Sequence, residues 1–137
     1  MGDNSAAIAR YRAAVESGDL AQLAALSDEF ATDDFVQEWP QSGERIVGRD
    51  GAMRLMEKYG EATGKAPNLK IRRVIGEGDL YVVEGTIDYG DGVPVSYVGI
   101  AELGGGKVHK MTEYFANPFP APDWRAGYVE RFEPVPA

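Results

Sequence analysis

The second half of the chain constrains the fold most. From Asn68 onward, four runs rich in β-branched and aromatic residues follow one another: Leu69–Glu77, Leu80–Tyr89, Val93–Leu103 and Lys107–Phe115. The breaks between them read Gly76-Glu77-Gly78-Asp79, Gly90-Asp91-Gly92 and Gly104-Gly105-Gly106. Glycine accepts positive φ without steric cost, so each break suits a tight hairpin. Runs of this length and composition joined by such turns predict a long antiparallel meander.

The first half has a helical period. Ile8, Tyr11 and Val15 recur at steps of three and four residues until Gly18. Asp19 is placed to cap a second helix carrying Leu20, Leu23, Leu26 and Phe30 as an apolar stripe. Phe35–Trp39 reads as a short strand, broken by Pro40-Gln41-Ser42-Gly43, with Arg45–Val47 returning alongside it. A third helix after Gly48 carries Leu55, Met56 and Tyr59 and is closed by Gly60, Gly64 and Pro67. Helices segregated from an antiparallel sheet give an α+β class. The 137 residues suffice for one domain with a core of its own. The Pro-rich tail, residues 116–137, holds Trp124, Tyr128 and Phe132 at helical spacing with Asp123 as cap, and is expected to dock on the domain.

Composition narrows the function classes. With no cysteine and a single histidine, disulfides, thiol chemistry and a transition-metal centre have no ligands to build on. A net charge of −8, with no basic patch beyond Arg72–Arg73, repels phosphate backbones and anionic lipid. No glycine run precedes a helix with the spacing that cradles phosphate. There is no apolar run near the roughly 20 residues of a membrane span, and the N-terminus lacks the pattern of a secretory signal. The expectation is a cytoplasmic protein without nucleic-acid or membrane partners.

Strand periodicity assigns the inner face. Tyr81, Val83, Gly85, Ile87 and Tyr89 share one side of the second run, and Val95, Tyr97, Gly99 and Ala101 one side of the third. Ser96, Val98 and Ile100 lie on the opposite side, apolar enough to be covered by a partner subunit. In the last run the inward set is Met111, Glu113 and Phe115, with His109 in phase near the glycine turn. A carboxylate on that face needs an explanation, because burying an unpaired charge is very costly. Either Glu113 meets a cation, for which Arg73 is in phase with Leu69, Ile71 and Ile75, or it faces a cavity that admits a ligand. Gly85 and Gly99 are read as leaving room for such a cavity.

The segments EWPQSGERIVGRDGAM and GGGKVHKMTEYFANPF, with the meander between them, resemble the nuclear-transport-factor-2-like superfamily, in its SnoaL-like polyketide cyclase and ketosteroid-isomerase-like branch. The resemblance runs from about Ala6 to Phe132. It implies a cone-shaped α+β barrel, with helices packed into a strongly curved, mostly antiparallel sheet. It also implies an apolar pocket and a homodimer formed through the outer sheet face. In the cyclases an acid at the position of Glu113 resembles a general base that removes a proton next to a carbonyl. The limonene-epoxide-hydrolase branch adds an Arg-x-Asp pair on an earlier strand, where this chain has Gly85 and Ile87.

Alignment with the family turns Val36 and Glu38 inward, against a residue pattern that favours Phe35 and Trp39; the alignment is followed here. Glu38 then becomes a second carboxylate for an acid–base couple, and Tyr97 a donor to a developing enolate. The implied pocket lining is Val36, Trp39, Tyr81, Val83, Gly85, Ile87, Tyr89, Val95, Gly99, Met111 and Phe115. The implied ligand is a small apolar carbonyl compound, with no cofactor and no metal. Since one cone hosts many activities as well as non-enzymatic binders, a ligand-binding or dimerisation module is the alternative.

Overall fold

A computed structural model describes residues 3–17, 20–63 and 68–133. The elements are α1 (Asn4–Ser17), α2 (Leu20–Phe30), β1 (Ala31–Trp39), β2 (Glu44–Val47), α3 (Arg49–Thr63), β3 (Asn68–Glu77), β4 (Leu80–Asp88), β5 (Pro94–Gly104), β6 (Lys107–Ala116) and a 3-10 turn, η1 (Asp123–Tyr128). The proposed cap Asp19 lies outside the described residues, as do the side chains of Leu20, Leu23, Met56 and Tyr59. No helix among the described residues is long and apolar enough to cross a membrane.

The six strands form one curved sheet in the order β2-β1-β6-β5-β4-β3. Strands β3 to β6 are the meander, each antiparallel to the next. Strand β1 inserts parallel to β6 and pairs antiparallel with β2 on its other edge. The β5–β6 turn is made by Gly105 and Gly106 at φ 61° and 78°, a two-residue turn whose twist matches that of the strands. Helix α1 starts at Asp3, whose carboxylate accepts from the amides of Ser5 and Ala6 at 2.9 and 3.3 Å. Asn4 then ties this end to two hairpins, donating to the Gly78 carbonyl at 2.7 Å and accepting from the Gly106 amide at 2.8 Å.

Two bulges reset the faces. In β3 the register slips between Ile71 and Arg73, opposite Gly85 and Glu84. Leu69, Ile71 and Val74 therefore point inward, while Arg73 and Ile75 leave the inner face. In β6 the slip lies between Glu102 and Leu103 of the facing strand and absorbs His109, so Val108 joins the inward set and His109 stays exposed. Three apolar clusters result. Ala7, Ala14, Leu26 and Phe30 join α1 to α2, with Tyr11 against them. Tyr81, Ala101 and Leu103 pack with Ile8, Val108 and Met111 at one end of the sheet. Val83, Ile87, Val95 and Tyr97 pack with Leu69, Ile71, Tyr89 and Phe115 at the other.

The aromatic rings of the tail do not dock on the domain. Trp124, Tyr128 and Phe132 are 77%, 88% and 85% exposed. The helical spacing covers only the single 3-10 segment, where Pro122 stands at the cap position, Asp123 falls inside the first turn, and no side chain caps it. The prolines at 118, 120 and 122 keep the connection extended, so the aromatic rings are carried past the core rather than folded onto it.

Candidate functional site

Glu113 lies on the inner face of β6, 9% exposed. Its neighbours come from two other strands and one helix. Tyr97 on β5, 3% exposed, donates its hydroxyl to Glu113 Oε2. From β1, the Gln37 amide donates to Oε1, and the Trp39 indole Nε1 donates to the same oxygen at 3.1 Å. Tyr11 of α1 lies close enough for the charge on Glu113 to act on its phenol.

The local sequence explains how these side chains converge. Phe35 is buried, and the strand period then sends Gln37 and Trp39 to the same face. The turn after Trp39 is closed by the Gly43 amide donating to the Trp39 carbonyl at 2.9 Å. Gln41 within that turn accepts from the Phe115 amide at 2.6 Å, which holds the end of β1 over β6. Tyr97 is the register partner of Phe115, and their rings pack at 5.4 Å and 51°.

Three neutral donors thus hold a buried carboxylate. No salt bridge reaches it among the described residues. The arrangement lowers the cost of burying the charge without neutralising it. It also works back on the phenols. Burial, and then the Glu113 charge, push Tyr11 up to about 12 and Tyr97 well above the ordinary tyrosine value. Oε1 has both lone-pair directions taken by Gln37 and Trp39, while Tyr97 occupies one direction on Oε2.

Several expectations need correction. Arg73 is not the partner of Glu113. The β3 bulge turns it outward, where Nε and Nη2 grip Glu84 at 3.0 Å each. That bidentate pair holds the Glu84 carboxyl below its usual value, and Arg73 correspondingly higher. Val36 and Glu38 are not inward either; the residue pattern was the better guide than the family alignment. Since Gln37 and Trp39 face Glu113, their neighbours must face away. Glu38 sits on the outer face between Lys110 at 2.9 Å and Arg45, with Arg45 Nε at 2.6 Å. Hydrogen bonds from Lys110 and then Arg45 lower its pKa, so no Glu38–Glu113 couple exists.

The inward glycines do not open room where they stand. A Cβ on Gly85 would run into the Lys70 carbonyl, so that glycine serves the close approach of β3 at its bulge. A Cβ on Gly99 would stand 2.5 Å from the Tyr97 hydroxyl and 3.2 Å from Met111 Cε, so the space is already filled. Tyr81 is inward but belongs to the α1 end, its hydroxyl 3.1 Å from Ser5 Oγ. Val83, Ile87, Val95, Tyr89 and Phe115 pack in the cluster that contains Tyr97, and Met111 with the α1 end. Gly85 and Ile87 supply neither the guanidinium nor the acid of an epoxide-hydrolase strand. No group of three or more acidic or histidine side chains that could hold a metal occurs among the described residues.

Sequence reasoning missed Gln37 and Tyr11. Gln37 stands between Phe35 and Trp39 in strand phase, a polar residue in an aromatic inward row. Tyr11 was legible only as part of an apolar helix stripe.

The family model described as a SnoaL-like domain matches residues 8–111. The chain belongs to the SnoaL-like family. Among solved structures, this SnoaL-like domain is similar to an NTF-2 like protein of unknown function from Burkholderia xenovorans LB400, at 35% identity and TM-score 0.71, with 94% of each chain covered. It is similar in fold to a protein from Kribbella flavida DSM 17836 provisionally called a ketosteroid isomerase, at 24% identity and TM-score 0.75, covering 94% of this chain and 89% of that one. A protein from Jannaschia sp. CCS1, provisionally called a SnoaL-like polyketide cyclase, follows at 19% identity and TM-score 0.65, covering 82% and 84%. No curated protein matches. These likenesses establish the NTF2-like architecture of the SnoaL-like domain, a mixed curved sheet with helices.

Proposed function

We propose that this SnoaL-like domain binds a small apolar, carbonyl-bearing molecule against the inner face of its sheet and moves a proton on it through Glu113, without a cofactor. The observation that carries the reading is a buried carboxylate held, among the described residues, by neutral donors alone, with Tyr97 on one lone-pair direction of Oε2. A C–H flanked by a carbonyl, brought to Oε2, would give its proton to Glu113 while the electron pair moves to the carbonyl oxygen. The Tyr97 hydroxyl, whose one proton rests on Oε2, would be released as Glu113 takes up the substrate proton and could then donate to the developing oxyanion. Where a C=C adjoins the enolate, protonated Glu113 returns the proton to the far carbon and the double bond shifts, an isomerisation; where a second carbonyl lies within reach, the enolate carbon attacks it and the resulting alkoxide takes the proton back from Glu113, a ring closure.

The test supplies apolar cyclic ketones in D2O and follows exchange of the α C–H by NMR. Catalysed exchange that disappears in Glu113→Gln, with ligand binding retained, is the expected result. Exchange that survives the substitution refutes the role of Glu113. A dimerisation module with a filled cavity is the second reading, and the space over Gly99 occupied by Tyr97 and Met111 favours it; neither ligand binding nor exchange in the unsubstituted protein is its signature.

We infer also that two copies meet through the outer sheet face. Ile75, Val82 and Ile100 are register partners across three strands, and Val98 pairs with Tyr114 beside them. Ile75 is 56% exposed and Tyr114 40%. This apolar strip is flanked by the Arg73–Glu84 and Lys110–Glu38 pairs, an apolar centre with a charged rim.

A further inference from the structure

We propose that Gly99 is a positioning residue, whose missing side chain seats the Tyr97 hydroxyl on Glu113. Gly99 lies in the middle of β5, buried, with a backbone that does not need the left-handed region. Glycine weakens a strand interior, so a reason other than conformation must hold it there. The reason is visible in what a methyl group would meet. It would stand 2.5 Å from the Tyr97 hydroxyl, 3.0 Å from Tyr97 Cζ and 3.2 Å from Met111 Cε. The Tyr97 ring therefore lies along its own strand over residue 99. Gly99 is also the register partner of Glu113, so a hydroxyl resting there arrives beside that carboxylate. Phe115 packs against the ring and Met111 bounds the far end of the seat.

An alanine at 99 has no slack to exploit. Its methyl would displace the hydroxyl, and Met111 blocks the methyl from moving the other way. Oε2 would lose its donor while Oε1 kept Gln37 and Trp39. The proposal rests on Glu113 as the working group of the site, but it concerns only the Tyr97–Glu113 contact, which can be read without any substrate.

The experiment uses the full chain labelled with 13Cζ-tyrosine, with the Tyr97 resonance assigned by its loss in Tyr97→Phe. In the unsubstituted protein, Glu113→Gln should shift that resonance and lower the pH at which the phenol titrates. Gly99→Ala should produce the same two changes by itself, and adding Glu113→Gln to it should then produce no more. If the Tyr97 signal of Gly99→Ala titrates as in the parent and still responds to Glu113→Gln, the proposal is wrong. Should Gly99→Ala fail to fold, the same change in a Tyr97→Phe background decides the matter. Recovery of folding there means that the hydroxyl was the obstructed group; failure there too means that Gly99 serves something else, and overturns the proposal. None of these outcomes depends on catalysis, so loss of the proton-transfer reading in the exchange assay would leave this result standing.

Discussion

Replacing Glu113 by Gln and by Leu should separate hydrogen bonding from charge. In Glu113→Gln the amide oxygen can keep accepting from Gln37 and Trp39, and the new NH2 can donate to the Tyr97 oxygen, because a phenol accepts as well as donates. The Tyr97 oxygen keeps a partner, but its O–H proton loses the acceptor it had in the parent. What is lost is the charge assistance of three bonds, about 1 kcal/mol each, and what is recovered is the cost of holding an ion away from water, of similar size. The net change in unfolding free energy should be a loss of about 1–3 kcal/mol, that of the one orphaned Tyr97 donor. Glu113→Leu keeps the volume but leaves the Trp39 indole and the Tyr97 hydroxyl facing a hydrocarbon. Each orphaned donor costs about 1–3 kcal/mol, so the loss from the two should be about 2–6 kcal/mol. Urea unfolding followed by far-UV circular dichroism measures both. Equal losses for Gln and Leu would mean that the negative charge itself holds the site together. No loss for Leu would mean that the three donors do not depend on Glu113, and the reasoning about the site would fail.

Alkali should act through the phenols. Tyr97 and Tyr11 titrate higher in the folded chain than the ordinary value of 10, so the unfolded chain releases its protons first. Their contribution to stability is complete below pH 10 and is lost as pH rises from 10 toward 12, at up to about 1.4 kcal/mol per pH unit for each group. Unfolding midpoints measured across that window should fall less steeply in Tyr97→Phe or Tyr11→Phe; an unchanged slope would contradict the burial of both hydroxyls. On the outer face, Ile100→Lys should convert a dimer to a monomer in sedimentation velocity at micromolar concentration, with the circular dichroism spectrum preserved. A parent protein that is already monomeric there would sink the interface.

The glycine turns made the meander legible. Gly105-Gly106 adopts the two positive φ values that its sequence suggests, and the ends of the four meander strands fell within a residue of the runs that defined them, whereas β1 begins four residues before its expected start at Phe35. Faces were legible only where a strand kept its period. Across Arg72 and His109 an extra residue inverts the phase, and no side chain advertises it, because the cause is backbone crowding against Gly85 in one case and the β5–β6 turn in the other. That is why Arg73 was assigned to the wrong face and Glu113 to the wrong partner. In β1 the residues spoke correctly: Phe35 and Trp39 marked the inner row, and Gln37 between them belonged to it. Glu113 stood out because a carboxylate among Met111 and Phe115 is chemically anomalous. Its true partners come from strands that only the topology brings near.

The parallel seat of β1 beside β6 dictates the order in which this polar cluster can be born. Tyr97 and Glu113 are 16 positions apart on one hairpin, whereas Gln37 and Trp39 reach the same carboxylate across 76 and 74 positions. Local closure is fast and long closure slow. The nascent hairpin can bring phenol to acid on its own, while the amide and the indole must wait until the amino-terminal third of the polypeptide has come back to pair along the open edge of β6. Any species caught before that step would carry a half-dressed acid open to water on one flank.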